Sequence, residues 1–225
     1  MTDQPAGTIA ARNWPSLLAI GLGSALMMLA MAHHPSGQAY SGPDAVREIA
    51  AAAAFNRTVH GVLIAIMAVL TAGYAGFSAT LRPRALGGFG LAAFAVGALF
   101  ESVAGLINGF AVSGLMEHYA GAPAETLAAL GPMKQTLWQL NQAFAGAGVI
   151  AMSLAVVLWS AALVRERGVL KLVGGAGILL GLAAIGALVG GWLELDVQGF
   201  GLFVAGQAVW GLVLALVLAL TRRAN

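Results

Sequence analysis

The sequence predicts an all-α integral membrane protein, a bundle of six transmembrane helices occupying all 225 residues as a single domain. Three observations carry that reading. Only 9% of the residues are charged while 60% are hydrophobic, against roughly 25% charged in a soluble globular domain. Mean hydropathy is +0.87. Six apolar runs each reach the ~20 residues that cross a hydrocarbon core of about 30 Å at 1.5 Å per residue.

The runs lie near Trp14–Ala32, Val59–Leu81, Leu86–Phe110, Trp138–Val164, Leu170–Leu193 and Phe200–Leu220. The first could be taken for a signal peptide, because Ala30-Met31-Ala32 has small-x-small cleavage spacing and cleavage would expose His33 as a new N-terminus. Its apolar length exceeds the 7–15 residues of a signal core and its basic flank is thin, so it is kept as a spanning helix.

Charge sets the expected direction of each helix. Arg12, Arg82, Arg84, Arg165, Arg167, Lys171, Arg222 and Arg223 fall at one end of the helices. The other end holds Arg47, Arg57 and Lys134 among Asp44, Glu48, Glu117, Glu125, Glu194 and Asp196. The positive-inside rule then places the short basic turns and both termini in the cytoplasm of a bacterial inner membrane, with the longer loops near residues 33–58 and 111–137 outside. The pI of 9.4 rests on a net charge of only +2. It is explained by these topology signals, and nucleic acid is not an expected partner. The partners expected are the lipid bilayer and, in one reading, other membrane subunits.

The even-numbered helices share a weak pattern. Asn56 precedes Gly61 and Asn141 precedes Gly146 by five residues, and Gly206-Gln207 with Gly211 falls in the same register of the last helix. The pattern suggests three repeated helical hairpins with Asn56, Asn141 and Gln207 at similar depth. In the outer loops, Pro43–Ala54 and Pro123–Leu130 each offer proline and acid at a helix start. They are read as short interfacial helices that could roof a pocket. Thirty-one glycines, including Gly87-Gly88-x-Gly90 and Gly174-Gly175-x-Gly177, fit close helix packing in lipid rather than phosphate loops.

The chemistry-bearing residues gather toward the outer leaflet. Glu101 lies roughly 20 Å along its helix from the cytoplasmic end, and Glu101, Gly105 and Asn108 form one stripe at i, i+4 and i+7. No arginine or lysine occupies a helix core to pair with it, which leaves a protonated acid or one held by His60, Asn141, Gln142, Gln207 or a bound cation. An intramembrane acid of this kind is a functional candidate by default; the ordinary alternative is a neutral interhelical hydrogen bond. Trp210, one turn beyond Gln207, either lines the same polar pocket or simply packs.

All four histidines, His33, His34, His60 and His118, sit at or beyond the outer boundary. Met27, Met31 and His34 share one helical face, as do His60 and Met67. With no cysteine in the chain, imidazole with thioether is the strongest ligand set available, and it suits copper ahead of haem b. The alternative is that the methionines fill the core and the histidines meet water or headgroups.

Three functional readings follow: a multi-pass inner-membrane protein whose periplasm-facing polar pocket binds copper or haem; a small secondary transporter or channel built on Glu101; or a structural or assembly subunit of a membrane complex. No Walker, zinc-protease, hydrolase-elbow or dinucleotide pattern occurs, so an enzyme is not the expectation.

Overall fold

The computed structural model describes residues 13–34 and 42–221. Arg12, Arg222 and Arg223 lie outside the described residues. Six helices long and apolar enough to cross a membrane are present. α1 runs over Trp14–Ala32; α2, Gly42–Ala51, is short; and α3 covers Ala53–Thr80. α4, Arg84–Leu106, passes through a π-helical turn, Ile107–Val112, into α5, Ser113–Tyr119. α6, Ala124–Ala129, leads into α7, Gly131–Leu163, followed by α8, Val169–Val189, and α9, Val197–Thr221.

The spanning helices form a closed ring in chain order. α1 packs on α3, α3 on α4, α4 on α7, α7 on α8 and α8 on α9, and α9 returns to α1. Outward-facing side chains such as Phe89, Leu172, Leu179 and Leu202 are largely exposed on the ring's perimeter, which is the surface that lipid covers.

Three of the spans overrun their apolar cores at the end opposite the basic turns. α3 begins at Ala53, ahead of its apolar stretch, and the 36 residues of Arg84–Tyr119 are continuous. α7 has 33 residues. At 1.5 Å per residue the last two are roughly 50 Å long, well beyond a ~30 Å hydrocarbon core. Hydropathy marks only the lipid-immersed part, so polar extensions such as Asn56-Arg57, Glu117-His118 and Lys134-Gln135 fall outside it although their backbone stays helical.

The protruding ends carry a small cap. Val46 of α2, Met116 of α5, Leu127 of α6 and Leu130 form an apolar cluster of their own. Arg57 of α3 reaches Glu117 of α5 at 2.8 Å in a solvent-exposed ion pair. The two short loop helices exist as the sequence suggests; α2 packs on α5 and on α6, and α6 also meets α7.

Toward the basic end, the ring's interior is filled by aromatic rings. Tyr74 stacks on Trp159 with centroids 4.5 Å apart. Phe94 tilts against Tyr74 and Trp159, and Trp210 lies parallel to Trp159 at 6.4 Å. Trp159 is fully buried; its indole N–H donates to Ser78 Oγ at 2.9 Å, and that of Trp210 donates to the Val173 carbonyl at 3.2 Å. Buried indoles usually find such a partner, and in hydrocarbon only the protein can supply it.

Glycine makes the close approach possible. A Cβ on Gly90 would collide with the Trp159 indole, and one on Gly177 with Ser160 and Trp210, whereas Gly88 and Gly175 face open space. Overpacking of this kind costs about 1–3 kcal/mol. Gly90→Ala is therefore expected to lower the thermal unfolding midpoint of the detergent-purified protein clearly, and Gly88→Ala to leave it within error, as read by intrinsic tryptophan fluorescence.

Candidate functional site: a histidine pair above a buried acid

The site begins with a backbone irregularity. A π-helical turn bonds i to i+5 and widens the helix, and such turns recur at functional positions. Here it spans Ile107–Val112. Asn56 of α3 sits against it: its amide nitrogen donates to the Asn108 carbonyl at 3.2 Å and to Ser113 Oγ at 2.8 Å. Ser113 Oγ in turn donates to the Asn108 carbonyl at 3.4 Å. A Cβ on Gly109 would collide with the His60 side chain, so the glycine in the turn is what lets α3 lie this close.

One turn after Asn56, His60 is oriented by its own helix. Its Nδ1 is 2.9 Å from the Asn56 carbonyl oxygen. A carbonyl can only accept, so Nδ1 carries the hydrogen and Nε2 of the neutral ring presents a lone pair. A backbone carbonyl on the far ring nitrogen is the arrangement found behind metal-bound histidines. His60 Nε2 lies 3.3 Å from His34 Nε2 and 3.4 Å from the Asn108 side-chain nitrogen. The two imidazoles meet edge to face with centroids 4.9 Å apart.

Both rings line a cavity of about 110 Å³. Glu101, Gly105 and Asn108 line it from α4 and the π-helical turn, so the sequence stripe faces one space. Asn141 lines it from α7 and donates to the Ala104 carbonyl at 2.8 Å. Met27, Met31 and Met67 contribute thioethers to the same walls.

The mouth is edged by Trp138 and by Asp196, which is exposed and accepts from the Gly199 N–H at 2.7 Å to cap α9. Gln142 braces this edge, donating to the Leu195 carbonyl at 3.1 Å and to Asn141 Oδ1 at 3.4 Å. Among the described residues, the α8–α9 connection and the end of α1 contribute to the lining, and none of α2 or α6 does.

Below lies a smaller cavity of about 40 Å³. Met27, Met67 and Glu101 line both spaces, while Ser24, Tyr74, Met152 and Gln207 belong to the inner one. Glu101 is 8% exposed, and its Oε1 has no hydrogen-bond partner; nor does Gln207 Nε2.

The remaining residues singled out from sequence lie elsewhere. His33 is exposed and bonds its own helix at the Leu29 carbonyl. His118 is exposed, with its ring against Tyr119 beside the cap. Trp210 belongs to the aromatic layer and lines neither cavity. Asn56 and Asn141 meet α4 and its extension at different levels, near residues 108–113 and at residue 104, while Gln207 lines the inner cavity. Among the described residues no three His, Cys, Asp or Glu side chains converge as a metal-holding group.

Several participants gave no sequence signal. Trp138 reads as an interfacial anchor and Asp196 as loop charge, while Ser24, Tyr74 and Met152 read as core. Only the Asn108-Gly109 pair inside an apolar run hinted at the widened turn. Comparison with protein families, curated proteins and solved structures finds no match.

Removing the clamp tests this geometry. Asn56→Ala strips the Asn108 carbonyl and the Ser113 hydroxyl of a donor inside the bundle, a change worth about 1–3 kcal/mol. A corresponding fall in unfolding free energy is expected in detergent, with Thr58→Ala, on the exposed side of α3, as the near-neutral comparison.

Proposed function

We propose that the protein is a membrane-embedded binding protein whose outer cavity takes up a soft cation, Cu(I) by preference, on His34 and His60. The observation that carries this reading is the 3.3 Å separation of the two Nε2 atoms at the cavity wall. A tetrahedral ion about 2.0–2.1 Å from each imidazole nitrogen requires those nitrogens ~3.3–3.4 Å apart, as the edge of its tetrahedron. The Asn56 carbonyl behind His60 supports the reading, since it aims the lone pair of Nε2 forward.

The walls select among metals. Thioether donors favour Cu(I) over harder divalent ions, and Met27, Met31 and Met67 line the same cavity as the pair. Haem fits less well: bis-histidine ligation puts the iron and macrocycle between the rings, roughly 4 Å from nitrogen to nitrogen by doubling that bond length, whereas these rings touch edge to face.

Orientation belongs to the same proposal. Arg82, Arg84, Arg165, Arg167 and Lys171 cluster at the end away from the cavity mouth. With that end in the cytoplasm, the mouth opens on the periplasmic side of a bacterial inner membrane, where a cation would arrive.

Titration of the purified protein with Cu(I), against a chromophoric competitor, tests the reading. A nitrogen-ligated equivalent is expected that weakens by more than about 100-fold in His60→Ala or His34→Ala, a first-layer loss exceeding the 10–100-fold effect of outer-layer changes. It should persist in His33→Ala and His118→Ala. Binding unchanged in both His34→Ala and His60→Ala would refute the proposal.

A further inference from the structure

We propose that the inner cavity is a second soft-cation site, formed by Met27, Met67, Met152 and the Glu101 carboxylate, to which a cation passes from the histidine pair. This rests on the reading of the outer cavity as a Cu(I) site and extends it from one station to two.

The first support is Glu101 itself. Its side chain is more than nine-tenths buried and lines the space, and among the described residues its Oε1, packed against Gly148, has no hydrogen-bond partner. Among the described residues, no lysine or arginine lines either cavity. A carboxylate held in hydrocarbon calls for a compensating positive charge or a proton, and a monovalent cation beside it gives a site of zero net charge.

The second support is the distribution of sulfur. Met31 lines only the outer cavity, Met27 and Met67 line both, and Met152 lines only the inner one. Thioethers thus continue from the imidazoles down past the acid, so a soft ion can change ligands stepwise without meeting water. Core-filling methionine would not require that succession to follow a chain of cavities.

The third support is the room made for these groups. A Cβ on Gly148 would run into the Glu101 carboxyl, and one on Gly97 into Met152. Two glycines therefore let these two side chains take their places between α4 and α7. The inner space, about 40 Å³, suits an ion stripped of water or one to three waters by the ~10–15 Å³ that a single water needs. Tyr74 and Phe94 line it as well and belong to the aromatic layer beneath, so the second site is a terminus in this conformation.

Cu(I) titration combined with X-ray absorption at the copper edge separates the possibilities. The wild-type protein is expected to bind two equivalents, one with nitrogen scatterers and one dominated by sulfur. Met67→Leu/Met152→Leu, a near volume-conserving change, should abolish the sulfur-dominated equivalent and keep the other; Glu101→Gln should weaken it at least tenfold. His34→Ala/His60→Ala should leave the sulfur-dominated equivalent alone.

A wild-type stoichiometry of one nitrogen-ligated ion overturns the second site while leaving the first intact; it would mean that water bridges Glu101 and Gln207. Two equivalents that both survive the double leucine variant also overturn it. No binding at all removes both sites together.

Discussion

The widened turn at Ile107–Val112 is tied to α3 at one point, where the Asn56 amide and the Ser113 hydroxyl both donate to the Asn108 carbonyl. That tie is what the site depends on. It holds α3 against the turn, Gly109 clears the space for the His60 ring, and the Asn56 backbone carbonyl fixes which nitrogen of that ring faces the cavity.

The ring of six helices is therefore filled in two different ways along its length. Near the basic end, indole and phenol rings pack with a single hydrogen bond for each indole, and glycines admit them. Near the opposite end, the amides of Asn56, Asn141 and Gln142 spend their donors on exposed or broken backbone, which keeps helix termini and the α8–α9 connection in place around a cavity. Polar groups there serve as structural ties, and His34, His60 and Glu101 line the cavity that those ties frame.

That division accounts for the chemistry available. Histidine nitrogen and methionine sulfur lie together without cysteine, and an acid sits below them without a basic partner. Hard divalent ions would find too few oxygens, and a macrocycle would find no gap between the rings. The compact, soft, monovalent cation proposed above would suit these donor types and the spacing of the imidazoles together.

Much of this was already present in the sequence, because lipid imposes a coarse and general constraint. The number of spans, the basic turns between them and the isolation of Glu101 from any lysine or arginine follow from hydropathy and charge alone. The i, i+4, i+7 stripe of Glu101, Gly105 and Asn108 follows from helical periodicity and does face one cavity. Which histidines meet could not be read. His33 and His34 are adjacent in sequence yet point apart, and His118 is held beside the cap, because a residue's direction depends on the rotation of its helix against its neighbours. Gln207 shares an apparent register with Asn56 and Asn141 but lines the inner cavity with Tyr74, and Trp210, one turn on, stacks on Trp159 instead of lining a pocket. One-dimensional pattern determined what enters the membrane; close contact between glycine, aromatic ring and widened turn, which exists only once the helices are assembled, decided where the open space lies and what faces it.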